Sequence, residues 1–115
     1  MQPGFGKSPA ELVARFDAVA ARHPEADRRK MFGYPALFVG GNMATGLYED
    51  QWVVRLFDDD LERLVTAGGA PFSPMPGRSM KGWAALPSEV VADDAALDSW
   101  LERSFAFAGS LPAKK

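Results

Sequence analysis

The side chains of this sequence that could do chemistry are mostly charged, and their densest group is basic. Five cations stand out, three in an unbroken run and two in a later stretch rich in proline and glycine: Arg28, Arg29, Lys30, Arg78 and Lys81. Cations grouped in this way can contact phosphates, and the rings of Tyr34 or Trp83 can stack on a base. The alternative is a run of charge before a strand that only faces water. We take these five residues as candidate contacts with nucleic acid or with a protein partner.

The overall charge argues against strong binding to nucleic acid. The chain of 115 residues has 13 lysines and arginines against 15 aspartates and glutamates, a formal net charge of -2. Domains that bind nucleic acid usually carry a basic excess. The acidic residues form two blocks, at 49–62 and 89–102, which would weaken the attraction for phosphates if they lay near the basic run. We expect DNA binding to be weak and salt-sensitive at most, and a protein partner is the stronger expectation.

Two acidic clusters, Asp58–Asp60 and Asp93–Asp94, supply oxygen ligands of the kind that bind Mg²⁺ or Ca²⁺. Aspartate is also a preferred N-cap residue, and both clusters precede predicted helices, so helix capping explains them more simply. No EF-hand spacing accompanies either cluster. We therefore predict no metal site and no cofactor.

The nucleophiles and bases of common enzymes are scarce. The sequence has no cysteine and one histidine, His23, and no serine–histidine–aspartate motif surrounds it. At the end of a predicted helix, His23 is best interpreted as a residue that interacts with the terminal carbonyls or faces water. We predict that the protein is not an enzyme.

The elements that must position these residues begin with a helix and a meander. A helix is predicted at 9–23, where Ser8 and Glu11 have the spacing of a capping box and apolar residues recur at helical spacing. A turn-rich linker at 24–27 and the basic run separate it from three predicted strands at 36–39, 42–48 and 51–57. The connections between the strands are too short for crossovers, so the strands must be antiparallel.

The second half of the chain returns to helical spacing. A short helix is predicted to start at Asp58–Asp60 and to end at Gly68-Gly69. The stretch 71–82 is predicted to be irregular because prolines and glycines punctuate it. A last strand is predicted at 83–86, and a final helix runs from Asp93 or Asp94 to Gly109.

Each predicted element has one strongly apolar side, which favours a two-layer α+β fold with helices on one face of an antiparallel sheet. With 47% apolar and 24% charged residues, the chain fits a single domain over 1–115 with an ordered core at about 8–109. No apolar run approaches the roughly 18 residues that a membrane span needs, and residues 1–7 contain no apolar segment of a secretion signal. We expect a cytoplasmic protein without membrane contact.

One combination of short motifs runs through most of the chain, from about Leu12 to Ala108. It consists of Met31-Phe32-Gly33 before a meander, then Gly41-Asn42-Met43, Met80-Lys81-Gly82-Trp83 and the helix that carries Leu97 and Trp100. In this combination the sequence resembles the N-terminal domain of the TfoX/Sxy family. We take six of these residues as family-signature positions with a structural role: Met31, Phe32, Gly33, Gly41, Trp83 and Trp100.

The resemblance implies a fold similar to that of type III secretion chaperones, in the order helix, three strands, helix, one or two strands, helix. The best-known members of the family resemble bacterial regulators of natural competence that act on transcription together with a cyclic-AMP receptor protein. The resemblance therefore implies a non-enzymatic regulatory or adaptor domain that acts through contacts with protein, or with nucleic acid. The alternative is a chaperone-like peptide- or protein-binding module with no transcriptional role.

The predicted sheet also has a free edge. Sheet edges must be covered, charged or paired with another chain. Because the resembled fold commonly pairs, we expect a homodimer whose interface includes an edge strand or the loop leading to Trp83. The alternative is a monomer in which the prolines between 71 and 82 protect the edge.

Overall fold

A computed structural model describes residues 7–73 and 80–113, in which a helix is followed by four strands, a second helix, two more strands and two helices. The helices in these ranges are α1 (Ala10–Ala20), α2 (Asp58–Thr66), α3 (Ser88–Val91) and α4 (Asp94–Ser110). The strands are β1 (Asp27–Met31), β2 (Tyr34–Val39), β3 (Asn42–Tyr48), β4 (Gln51–Arg55), β5 (Ala70–Pro71) and β6 (Trp83–Ala85). All six strands form one antiparallel sheet in the order β1-β2-β3-β4-β6-β5. The predicted α+β fold is confirmed.

The predicted meander is present as β2, β3 and β4. Gly40 and Gly41, which join β2 to β3, have φ values of 61° and 81°, as a two-residue type I′ turn requires. Glu49, in the turn between β3 and β4, also has a positive φ of 54°. The ends of the strands differ slightly from the prediction, since β2 starts at Tyr34 and β4 ends at Arg55.

The strand β1 was not predicted, because its residues were assigned to a linker and a run of charge. It pairs with β2 from Asp27↔Phe38 to Met31↔Tyr34, and the turn between them is Phe32-Gly33. Four of its five residues are exposed. A strand at the edge of a sheet, with little buried on either side, lacks the apolar alternation by which strands are recognised.

Only one of the three predicted helix caps is present. Asp93 caps α4, because its side chain accepts hydrogen bonds from the backbone N–H groups of Ala95 and Ala96 at 3.0 and 3.3 Å. The predicted capping box at Ser8 is wrong, since Pro9 is the N-cap of α1 and no side chain caps it. Capping by Asp58–Asp60 is also wrong, because Phe57 is the N-cap of α2. These aspartates lie in the first turn, where their charge complements the helix dipole.

The helices pack on one face of the sheet around a single large core. α4 contacts β2, β3 and β4, and its buried side chains include Leu97, Leu101 and Phe105. The hydroxyl of Ser104 in α4 donates a hydrogen bond to the carbonyl of Ala44 in β3. Ala44 lies where the β2–β3 register shifts, so this bond ties the helix to an irregular point of the strand.

A hydrogen-bonded polar pair lies inside this core. Trp52 Nε1 donates to the hydroxyl of Thr45 at 2.9 Å, and that hydroxyl donates to the carbonyl of Val53 at 2.7 Å. Both side chains are almost fully buried. The pair fixes β4 against β3 without leaving the indole N–H unsatisfied.

Charged side chains join α1 to α4 at the edge of the core. Arg15 of α1 donates to Asp94 of α4, and Arg22, which follows the end of α1, donates to Asp98 of α4, each at 2.8 Å. His23 Nε2 donates to Asp98 at 3.0 Å, and its ring packs edge-on against Phe105. His23 is 7% exposed, so the expectation that it interacts with the terminal carbonyls or faces water is wrong: it links the turn after α1 to α4.

The network lowers the pKa of Asp98. Burial alone raises the pKa of this carboxyl, but the hydrogen bonds from His23 and Arg22, with their positive charge, outweigh burial and hold the pKa below its ordinary value of 3.8. A carboxyl with a lowered pKa in the folded state stabilises the fold above its unfolded pKa, and this contribution is lost as the pH falls through the folded pKa.

In the described part of the chain, no helix is long and apolar enough to cross a membrane.

We predict that Asp98→Asn lowers the free energy of unfolding by roughly 1–2 kcal/mol at about pH 7, because two charge-assisted hydrogen bonds are weakened. The difference from wild type should shrink as the pH falls below 3.8, because Asp98 is protonated first in the unfolded state and then, at lower pH, in the folded state. Urea denaturation across this pH range measures it, with Glu102→Gln, an exposed carboxylate of α4, as the control. A difference that is constant with pH would contradict the account.

Candidate protein-interaction surface

The basic run is divided between the two faces of the sheet because side chains alternate along β1. Arg28 pairs in register with Leu37, a residue of the main core, so Arg28 lies on the helix side. There its guanidinium donates to one carboxylate oxygen of Asp17 in α1, at 3.0 Å from Nε and 2.8 Å from Nη2. Lys30, two residues on, shares that side, and Arg29 is on the other.

The other candidate cations make weaker contacts or lie away from β1. The guanidinium of Arg29 lies over the ring of Phe38 at 5.2 Å, and it is 3.8 Å from a carboxylate oxygen of Asp27. Lys81 is exposed in the segment that leads into β6. Arg78 lies outside the described residues. The structure therefore brings the three residues of the run together on one strand but places them on two faces.

The face of the sheet opposite the helices carries an apolar groove of about 180 Å³. We call it the hairpin groove; no described helix contributes to it, and its lining includes Met31, Tyr34, Met43, Tyr48, Phe72 and Trp83. Three of its rings form a row, with centroids 5.4 Å apart for Tyr34 and Tyr48 and 5.3 Å apart for Tyr48 and Phe72. Residues of five strands (β1, β2, β3, β4 and β6) therefore line the groove, together with Phe72, which follows β5.

Two tyrosines are the titratable groups among the described residues that line the hairpin groove. Burial, followed by the nearby negative charge of Glu49, raises the pKa of Tyr34 above its ordinary value of 10.0. Tyr34 is therefore an uncharged phenol near neutral pH. The described residues of the lining include no carboxylate, amine or imidazole, so their chemistry suits apolar contact rather than proton transfer.

Phe32 stands at the end of the groove and is 93% exposed. Its φ of 55° is in the left-handed region, which disfavours residues with a Cβ, and Gly33 follows with φ 85°. On its other side, Phe32 borders a broad depression of about 680 Å³ that also includes Lys7 and Val13. A large aromatic ring that is exposed on a strained backbone contributes little to the stability of the fold.

The six signature residues lie at separate places. Met31, Phe32 and Gly33 form the end of the β1–β2 hairpin, whereas Gly41 lies in the β2–β3 turn. Trp83 lines the hairpin groove. Trp100 is half-buried on α4 with the guanidinium of Arg103 5.4 Å from its ring.

The hairpin groove is a site that the sequence patterns alone do not indicate. Its residues come from positions 31 to 83, and only the pairing of the strands brings them together. A large apolar residue in a two-residue turn, as in Phe32-Gly33, is the one local signal that could have pointed to it.

Among the residues that the structure describes, no three histidine, aspartate or glutamate side chains are grouped so that they could hold a metal ion.

Fold and surface together define a two-layer α+β domain with helices on one face of its sheet and an apolar groove on the other. The family model described as the TfoX N-terminal domain matches residues 16–108, from α1 to the last turns of α4. The chain therefore belongs to the TfoX N-terminal domain family. No curated protein matches the chain.

We predict that Phe32→Asn does not destabilise the fold, and that it raises the free energy of unfolding by about 0.5–1 kcal/mol, because asparagine tolerates positive φ better than phenylalanine. Gly33→Ala should lower it by about 1 kcal/mol, because it places a Cβ on a left-handed residue. Thermal and urea denaturation measure both variants. A loss of more than about 1 kcal/mol for Phe32→Asn would show that this ring has a structural role.

Proposed function

We propose that this protein is a non-enzymatic regulatory adaptor that acts through protein contacts made by the hairpin groove and Phe32. The exposure of Phe32 at 93% is the observation that carries the proposal. Exposed aromatic residues beside apolar pockets are typical anchors of protein interfaces. Membership of the TfoX N-terminal domain family supports a regulatory role.

The charges around the sheet favour a protein over DNA as the partner. Arg28 is already bound by Asp17, and Arg29 faces the opposite side from Lys30. A surface that follows a phosphate backbone needs several cations on one side. The net charge of -2 adds a long-range repulsion for DNA.

The composition of the groove also supports binding rather than catalysis. Its lining pairs tyrosine and tryptophan rings with Met31, Met43 and Met80. Methionine is flexible and polarisable, so it adapts to apolar partners of different shapes. The same property favours the second candidate function, a chaperone-like module that binds apolar peptide segments without a role in transcription.

A complementation experiment tests the proposal. In cells from which the gene has been deleted, we expect transcript levels to change, and expression of the wild-type chain to restore them. Phe32→Asp should fail to restore them although it folds, because a carboxylate at the anchor cannot enter an apolar partner site. Val65→Asp, at an exposed apolar residue of α2, is the matched control and should restore them.

Two results would count against the proposal. Full restoration by Phe32→Asp would show that the ring is not a contact. Transcript levels unchanged by the deletion would argue against a regulatory role, and aggregation of unfolded client proteins in the deleted cells would then favour the chaperone-like module.

A further inference from the structure

The outer edge of β1 has free backbone groups at alternate residues. β1 pairs only with β2 among the described strands, and the two-residue turn makes Met31↔Tyr34 the closing hydrogen-bonded pair. In an antiparallel ladder hydrogen-bonded and non-hydrogen-bonded pairs alternate, so Lys30↔Pro35 and Arg28↔Leu37 are of the second kind. Pro35 fits this position because it has no N–H to donate. The N–H and C=O groups of Arg28 and Lys30 therefore point away from the sheet.

The side chains beside these groups carry positive charge on both faces. Lys30 is exposed on the helix side, and within the described residues no carboxylate lies within 4.0 Å of its ammonium group. Arg29 is 56% exposed on the other side, and its contact with Asp27 is long, at 3.8 Å. Arg28 is held by Asp17 and adds no free charge.

This distribution of charge disfavours a second copy of the chain at the same edge. Two β1 strands paired with each other would place arginine and lysine side chains opposite arginine and lysine, and like charges directly across a ladder are destabilising. At the other edge of the sheet, β5 has two residues, one of them Pro71. The homodimer stays a prediction, and these observations point to an interface other than the sheet edges.

We propose that β1 binds an extended acidic segment of a protein partner as an added antiparallel strand. The segment would exchange backbone hydrogen bonds with Arg28 and Lys30, as in other cases of strand addition. Two adjacent acidic residues in it point to opposite faces, so one reaches Arg29 and the next reaches Lys30. The proposal rests on the proposed adaptor function and specifies the chemistry of the partner.

The test uses a fluorescein-labelled peptide with a central Glu-Glu pair flanked on both sides by valine and threonine. We expect saturable binding to the full chain by fluorescence anisotropy, and none by the same peptide with Lys-Lys at its centre. The double change Arg29→Glu with Lys30→Glu should weaken binding by at least about tenfold, because attraction becomes repulsion. Arg63→Glu reverses one exposed cation of α2, away from β1, and should leave the affinity within about twofold.

A second pair of variants separates the backbone from the charge. Lys30→Gln and Lys30→Pro both remove the ammonium group, but only proline removes the outward N–H. Neither change touches a β1–β2 hydrogen bond, so both variants should fold, as circular dichroism would verify. We expect Lys30→Pro to bind the peptide several-fold more weakly than Lys30→Gln. Equal affinities would overturn strand addition, as would the absence of binding up to about 1 mM peptide.

Other occupants of the edge are distinguishable in the same experiment. Duplex DNA that binds more tightly than the peptide, and loses affinity in the Arg29/Lys30 double variant, would overturn the proposal in favour of nucleic acid. A doubling of mass in light scattering that the double variant abolishes would overturn it in favour of a second copy. Failure of the peptide together with loss of function in Phe32→Asp would reject the edge and leave the adaptor function standing.

Discussion

Helix α4 lies across β2, β3 and β4, and the hydroxyl of Ser104 donates to the carbonyl of Ala44 where the strand pairing shifts. Leu97, Leu101 and Phe105 of α4 are buried against the sheet in the main core. α1 packs on the same face through Phe16 and Val19, and its Arg15 pairs with Asp94 of α4. On the opposite face of the sheet no described helix packs. A smaller apolar cluster lies there, and its side chains form part of the hairpin groove.

The alternation of side chains along each strand decides which residues can act together. In β1 it sends Arg28 to α1 and Arg29 to the opposite face, so a run that is continuous in sequence is divided in space. In β2 and β3 it places Tyr34 beside Tyr48, residues that are distant in sequence. The register of the sheet, rather than the order of the motifs in the sequence, therefore decides which residues share a surface of this protein.

The parts of the fold that could be predicted are those in which burial leaves a pattern in the sequence. α4 buries one side, the strands of the meander are short runs buried on both faces, and the paired glycines at Gly40-Gly41 mark a turn. β1 leaves no such pattern, because it is exposed on both sides. Likewise, Ser8 has the residue type and the spacing of a cap, but the N-cap lies one residue later, at Pro9, and the helix begins at Ala10.

The site was harder to predict than the fold for a physical reason. The hairpin groove joins residues from Met31 to Trp83 through strand pairing, which no local pattern encodes. Sequence analysis assigned Phe32 a structural role within the family signature, whereas its ring is 93% exposed in the structure. Exposure of an apolar side chain is a property of the folded surface, and a hydrophobic residue type by itself predicts the opposite.

Amide hydrogen exchange, resolved by residue with NMR, tests the central claim most directly, namely that β1 is a free edge whose alternate backbone groups are available to a partner. The account predicts that the amides of Arg28 and Lys30 exchange at least about tenfold faster than those of Arg29 and Met31, which bond to β2. Equal protection at all four residues of the isolated protein would contradict it, because the edge would then be covered already.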